Sequence, residues 1–338
     1  MLVKLRVALA AKPPVLYVVV VLLLPCLTLG AGAIVPIPPL KPVDSITAEK
    51  IRLGRSLFEE RLLSRDNSVS CSSCHDLSGA GVDHKPRSIG INGAVGDINA
   101  PTVFNATFNF RQFWNGRAKT LEAQIDGPVQ NPKEMGSSWN EVVRKLKAIQ
   151  TYQDRFRKIY PDGVTPENVK DAIATFERQL VTPDSRFDEF LSGKSALDEL
   201  AKKGYENFKS FGCISCHQGV NVGGNMYQTM GVMGNYFKDR GTPITEADLG
   251  RFAVTKREAD KYVFRVPSLR NVELTAPYFH DGSASTLEDA VRVMAKYQLG
   301  RQISDREIDS VVAFLKTLTG KAPAVLENSR TTAGAKAQ

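Results

Sequence analysis

At 338 residues, with 42% hydrophobic and 24% charged positions, the chain is long enough for two domains with their own cores, and its composition excludes a disordered protein. The formal charge of +8 is spread along the sequence; without a Lys/Arg cluster to track phosphates, nucleic-acid binding is not expected. Of five cysteines, four fall in two short pentapeptides, so the thiols are accounted for without disulfides.

The chain opens with Lys4, Arg6 and Lys12, an apolar run over 15–30, and small residues near Ala31 and Ala33. This reads as an export signal over 1–33, which makes the mature protein periplasmic. An uncleaved membrane anchor is the alternative, since about 20 apolar residues span a bilayer. Removing 1–33 takes away three positive charges and no negative ones, leaving 8 − 3 = +5. Cys26 follows Pro25, a poor lipidation context, and leaves with the signal.

Apolar spacing predicts a helix over 45–63, with Leu53, Leu57 and Phe58 on one side. The pentapeptide "CSSCH" (71–75) follows, then "RSIGINGAVGD" (87–97), a loop of small and apolar residues. Residues 99–136, rich in Asn, Gly, Pro and aromatics, read as an ordered functional loop. Helices are predicted over 137–149 and 165–180, the second with Thr165 as N-cap and Pro166 in its first turn. A domain boundary falls near 185–199, and a helix over 196–212 leads into "CISCH" (213–217). Further helices are predicted over 285–298 and 304–320; the latter has a Ser304…Glu307 capping box and a Gly320 stop. No run of alternating strands appears, and 321–338 reads as a flexible tail.

Gly54 and Phe58 stand four apart, as do Gly204 and Phe208, each pair preceding a C-x-x-C-H. The helix-plus-pentapeptide unit is thus a diverged internal repeat, with 142 residues between the two histidines. The expected fold is mainly α, with two cytochrome c-like domains at 45–190 and 191–320 joined and decorated by long ordered loops.

C-x-x-C-H is the attachment signature of c-type haem: two thiols add across the vinyl groups and the adjacent histidine reaches the iron. Two covalent haems follow, on Cys71, Cys74 and His75 and on Cys213, Cys216 and His217. The opposite iron face decides function, since a closed haem passes electrons and an open one binds a small substrate. His84 and His280 are the remaining histidines; His84 is a candidate ligand or an exposed loop residue, and His280 sits in an aromatic loop. Met226, Met230, Met233 and Met294 follow the second site, and Met294 is either a ligand or a core residue. Glu134 is chemically suited to move peroxide protons and Gln124 to orient a peroxide, although each residue type is more often a surface group.

The two pentapeptides, "NAPTVFNATFNFRQFWNGRA", "GPVQNPKEMG", "VFRVPSLRNVELTAPYFHDG" and "AVRVMAKYQLG" together resemble the bacterial di-haem cytochrome c peroxidase family over 45–320. The resemblance implies reduction of hydrogen peroxide at an N-terminal low-potential haem, with electrons from a small cytochrome c or copper protein entering at a C-terminal high-potential haem. It implies His217 and Met294 as the axial pair of the second haem, His75 as proximal ligand of the first, and Glu134 with Gln124 on the distal side. It also implies Trp114 between the haems, calcium held by Asn99 and the carbonyls of Thr275 and Pro277, a homodimer, and a haem-environment role for His280. Many family members carry "SIGH" where this chain has "SIGI" (88–91). That histidine caps the peroxidatic iron until the other haem is reduced, and Ile91 cannot ligate iron, so a peroxidase needing no reductive activation is expected. The other readings are a di-haem oxidase of the kind that matures the methylamine dehydrogenase cofactor, in which a tyrosine stands where this chain has Met294, and a pure electron carrier.

Overall fold

The computed structural model describes residues 33–38 and 44–326. The signal or anchor segment, apart from Ala33, and residues 327–338 of the expected tail lie outside these residues. Among the described residues, no helix is long and apolar enough to cross a membrane.

Helices start where side-chain oxygens satisfy first-turn N–H groups. The Asp44 carboxylate accepts from Thr47 N–H at 2.7 Å and opens α1 (Ser45–Phe58). Thr120, Ser138 and Thr165 do the same for α2 (Leu121–Gln130), α3 (Trp139–Lys147) and α5 (Pro166–Glu177), with α4 (Gln150–Ile159) between the last two. Next come α6 (Arg186–Leu191) and α7 (Glu199–Phe211), then the short α8 (Tyr236–Asp239) and α9 (Phe252–Thr255). Finally α10 (Leu287–Leu299) and α11 (Asp305–Lys316) close the chain, the latter on the expected Ser304–Glu307 box. The only sheet among the described residues pairs β1 (Tyr227–Thr229) antiparallel with β2 (Val263–Arg265).

The segment 45–63 is not one helix: α1 stops at Phe58, and Leu63 reaches the core from a separate 3₁₀ turn. The segment 99–136 is not all loop either, because it contains α2, whose eighth residue is Pro128. Residues 321–326 run back to the body, with Lys321 N–H on the Pro183 carbonyl at 2.7 Å and Val325 against the first core.

The apolar faces collect into two main cores. One gathers α1 to α5; the other gathers α6, α7, α10 and α11, together with Ile34. Each is built on one crossing. Gly54 of α1 lies so close to α5 that a Cβ there would strike the Ala172 carbonyl, and Phe58 meets Phe176 edge to face at 5.6 Å. Gly204 of α7 lies in the same way against the Ser310 carbonyl of α11, and Phe208 meets Phe314 at 5.1 Å.

The repeat runs beyond the attachment helices. The segment from Asn99 to α2 matches that from Arg265 to α10, pairing Pro101 with Pro267, Asn105 with Asn271, and Phe113 and Gly116 with Phe279 and Gly282. Asn105 and Asn271 are both left-handed (φ 60° and 61°), and both donate to the Thr182 hydroxyl, at 2.7 and 3.0 Å. The halves are stitched reciprocally: Asn99 N–H donates to the His280 carbonyl at 2.7 Å, and Arg265 N–H to the Trp114 carbonyl at 2.8 Å. A local two-fold relation therefore passes beside Thr182.

Candidate functional site

Both pentapeptides fold into the same tight turn. His75 N–H donates to the Cys71 carbonyl and His217 N–H to the Cys213 carbonyl, each at 3.0 Å. None of the four cysteines is in a disulfide, and all four are half-buried. Each imidazole is oriented through Nδ1, His75 by the Gly81 carbonyl at 3.2 Å and His217 by the Val222 carbonyl at 3.3 Å. With Nδ1 donating, Nε2 keeps its lone pair for a metal. Burial lowers the proton affinity of both rings, that of His217 to about 4, so both are neutral and ready to ligate. Burial raises the Cys71, Cys74 and Cys213 thiols as well, Cys213 to about 11, which keeps these three in the protonated, unreactive form. Two half-buried thiols beside an oriented imidazole fit a covalently attached haem at each turn.

Glu134 lies near the first turn, where its charge acts on both Cys71 and Cys74. Burial raises its proton affinity, only partly opposed by the hydrogen bond from Asn131 Nδ2 at 2.6 Å and by Arg117. Asn131 caps the end of α2, and Gln124 lies two turns earlier on the same helical face.

The loop 87–97 packs directly on this group. Its ends pair through Gly96 N–H to the Ser88 carbonyl at 2.9 Å, and Ile91 N–H donates to the Glu134 carbonyl at 2.9 Å. A Cβ on Gly90 would meet the backbone of Lys133 and Glu134, and one on Gly136 would meet the Ile91 side chain. Ile91 is only 2% exposed. Ser88 lies near the Cys74 thiol. His84 is exposed, and its Nδ1 meets the Ala276 carbonyl at 3.1 Å.

Trp114 donates from Nε1 to the Asn99 carbonyl at 2.9 Å and meets His280 edge to face at 6.3 Å; in the repeat the two are equivalent positions. His280 is buried, with Nε2 on Asp248 at 2.7 Å. His280, Asp248 and Asp281 cluster as metal ligands would. Arg240 fills that role instead, pairing with both carboxylates at 2.8 Å. Burial acts to raise the Asp248 carboxyl, but the Arg240, Thr245 and His280 hydrogen bonds hold it well below the usual range. This network carried no signal in the sequence, because Arg240 and Asp248 lie far from His280 along the chain.

Met294 is half-buried and belongs to none of the three apolar clusters, unlike its neighbours Val291 and Val293. Its helix ends at the second turn, where Leu299 approaches Gly212. Asn99 joins both halves through its backbone. Among the described residues, the Thr275 and Pro277 carbonyls accept no backbone hydrogen bond, which leaves both oxygens available to a hard cation.

Residues 48–196 match the di-haem cytochrome c peroxidase family. The cytochrome c551 peroxidase of Nitrosomonas europaea is 48% identical over 85% of this chain and 85% of its own length. The chain belongs to the di-haem cytochrome c peroxidase family. It is accordingly a haem-dependent oxidoreductase. The cytochrome c peroxidase Ccp of Escherichia coli is 47% identical over 84% of this chain, which spans 60% of that longer relative. A MauG-like protein associated with microbial copper homeostasis superposes with a TM-score of 0.71 at 29% identity, over 87% of this chain and 95% of its own. Membership makes haem the cofactor expected at the two turns.

Proposed function

We propose that this chain reduces hydrogen peroxide to two waters in the periplasm, taking two electrons from a small cytochrome c or copper protein. The first haem is held by Cys71, Cys74 and His75, and the second by Cys213, Cys216 and His217 with Met294 as its other ligand. Bound haem supplies the redox-active iron at which the O–O bond is cleaved.

Glu134 takes a proton from one peroxide oxygen and returns it to the departing one. Its raised proton affinity suits both halves of that exchange, and such a group contributes about 10²–10⁴-fold. Asn131 holds the Glu134 carboxylate in place, Gln124 orients the peroxide, and Trp114 lies on the electron route between the halves. Asn99 with the Thr275 and Pro277 carbonyls holds calcium at the junction. Met294, where the oxidase relatives carry a tyrosine, favours the peroxidase reading.

The observation that carries the proposal is Ile91, buried against Glu134 in a loop without an iron ligand, while the His84 ring is turned to the Ala276 carbonyl. With no ligand offered by this loop, an iron held by His75 would stay open in the fully oxidised protein, and turnover would need no reductive activation. Electron paramagnetic resonance of the oxidised, haem-loaded protein is expected to give one high-spin and one low-spin ferric signal, with peroxide turnover from the first cycle. Two low-spin signals would overturn it.

A further inference from the structure

Two haems would bring four charges that the attachment turns do not address, because each c-type haem carries two propionate carboxylates. A carboxylate taken from water into a protein needs a cation or hydrogen-bond donors. Among the described residues, one buried cation matches this need.

Arg265 in β2 is 4% exposed, yet no carboxylate among the described residues pairs with it. Its hydrogen bonds go only to neutral acceptors, and all are long: Nε to the Phe113 carbonyl at 3.3 Å, and Nη1 to Asn109 Oδ1 at 3.2 Å and to the Val266 carbonyl at 3.4 Å. The other buried arginine, Arg270, has Asp188 at 2.8 Å. The half-buried Arg240 has two carboxylates. A guanidinium offers a planar fork for an oxyanion, and in Arg265 that fork has no anionic partner among the described residues.

Its position indicates which haem it serves. Two residues past Arg265, beyond the end of β2, the Pro267 carbonyl lies close to His217 Nδ1. On the paired strand, Gln228, opposite Phe264, reaches Cys216 at 3.9 Å, so the β1–β2 pair runs beside the second attachment turn. The repeat adds an independent observation: Arg265 occupies the position that Asn99 holds in the first half, and its Nη1 bonds Asn109, the counterpart of Thr275. Where one half offers oxygen atoms suited to a cation, the other half supplies a cation of its own.

We infer that Arg265 is the counter-ion of a propionate on the second haem and helps set that haem's potential. A fixed positive charge favours the ferrous state, so its loss makes that haem harder to reduce. This rests on haem attachment at Cys213 and Cys216 and not on the peroxidase reading. Haem stoichiometry is therefore measured first, which separates failure of the attachment from failure of the inference.

The test is a spectroelectrochemical titration of both haems in holoprotein bearing Arg265→Met or Arg265→Lys, with resonance Raman of the propionate bending band. In the Met variant the ferrous-to-ferric ratio of the second haem at fixed potential should fall about tenfold, equivalent to 59 mV for one electron. The first haem should move much less, and the Lys variant should keep most of the potential while shifting the propionate band. If the Met variant does not load haem, the Lys variant and its Raman band decide. An unchanged second-haem potential or propionate band in the loaded variant, or a shift confined to the first haem, overturns the inference.

Discussion

At the scale of single residues, Glu177 sets buried charge against packing. It lies on α5 directly after Phe176, is 5% exposed, and has an Oε2 without a hydrogen-bond partner. Its counterpart after Phe314 of α11 is Leu315, which belongs to the second core. Burial, opposed by Arg178 and reinforced by Glu122, pushes the carboxyl from 4.5 up to about 8. The unfolded chain releases this proton near 4.5, whereas the folded chain holds it to about 8. Stability is therefore unaffected below the lower value, falls as pH rises through the window, and levels off above it. At pH 7 the cost is about 3 kcal/mol. Glu177→Leu, copying the other half, should raise Tm little at pH 4 and markedly at pH 8, as thermal unfolding monitored by circular dichroism would record. An equal gain at both pH values would mean that the carboxyl titrates normally.

At the scale of elements, each half depends on one helix crossing at a glycine. Alanine is intrinsically better than glycine inside a helix by about 1 kcal/mol, so on a free face Gly54→Ala or Gly204→Ala would stabilise. Here the added Cβ meets a carbonyl of the partner helix, and separating the pair costs roughly 1–3 kcal/mol. Both variants are expected to unfold several degrees below the parent in differential scanning calorimetry, and a gain in either would show that its crossing is loose. The Gly54–Phe58 and Gly204–Phe208 pairs were legible in the sequence because both lie on strongly periodic helices. Their partners Ala172 and Ser310 were not, since nothing in a sequence says which helix an apolar stripe meets. α2 was missed because Gly127 and Pro128 read as loop punctuation, although Pro128 comes late in the helix and leaves the earlier turns intact. α4 was missed because its stripe rests on Tyr152 and Phe156 alone. The two matching C-x-x-C-H turns could be read from their spacing, and the place of the loop that carries Ile91 from the family resemblance. Its contact with Glu134 could not, because it depends on how two loops of no fixed period fold together.

At the scale of the whole molecule, the halves meet at groups shared between them: Thr182 receiving both Asn105 and Asn271, the paired bonds of Asn99 and Arg265, and the contact of Trp114 with His280. These are individually modest, since a typical hydrogen bond contributes about 1 kcal/mol net. Calcium on Asn99, Thr275 and Pro277 would add a joint of another strength, because Asn99 belongs to one repeat and both carbonyls to the other. By mass action, a cation bound only by the folded state stabilises it by about 2.7 kcal/mol at one hundred times its dissociation constant. Removing it should lower Tm and slow electron transfer between the haems together, since the same joint fixes Asn99, and through it Trp114 Nε1. Chelation of the holoprotein is expected to lower both and calcium to restore both, while magnesium, which holds its waters in strict octahedral geometry, should restore neither fully. Asn99→Ala should remove the calcium dependence while leaving haem content unchanged. An Asn99→Ala protein whose Tm still rises on adding calcium would move the cation site away from this junction.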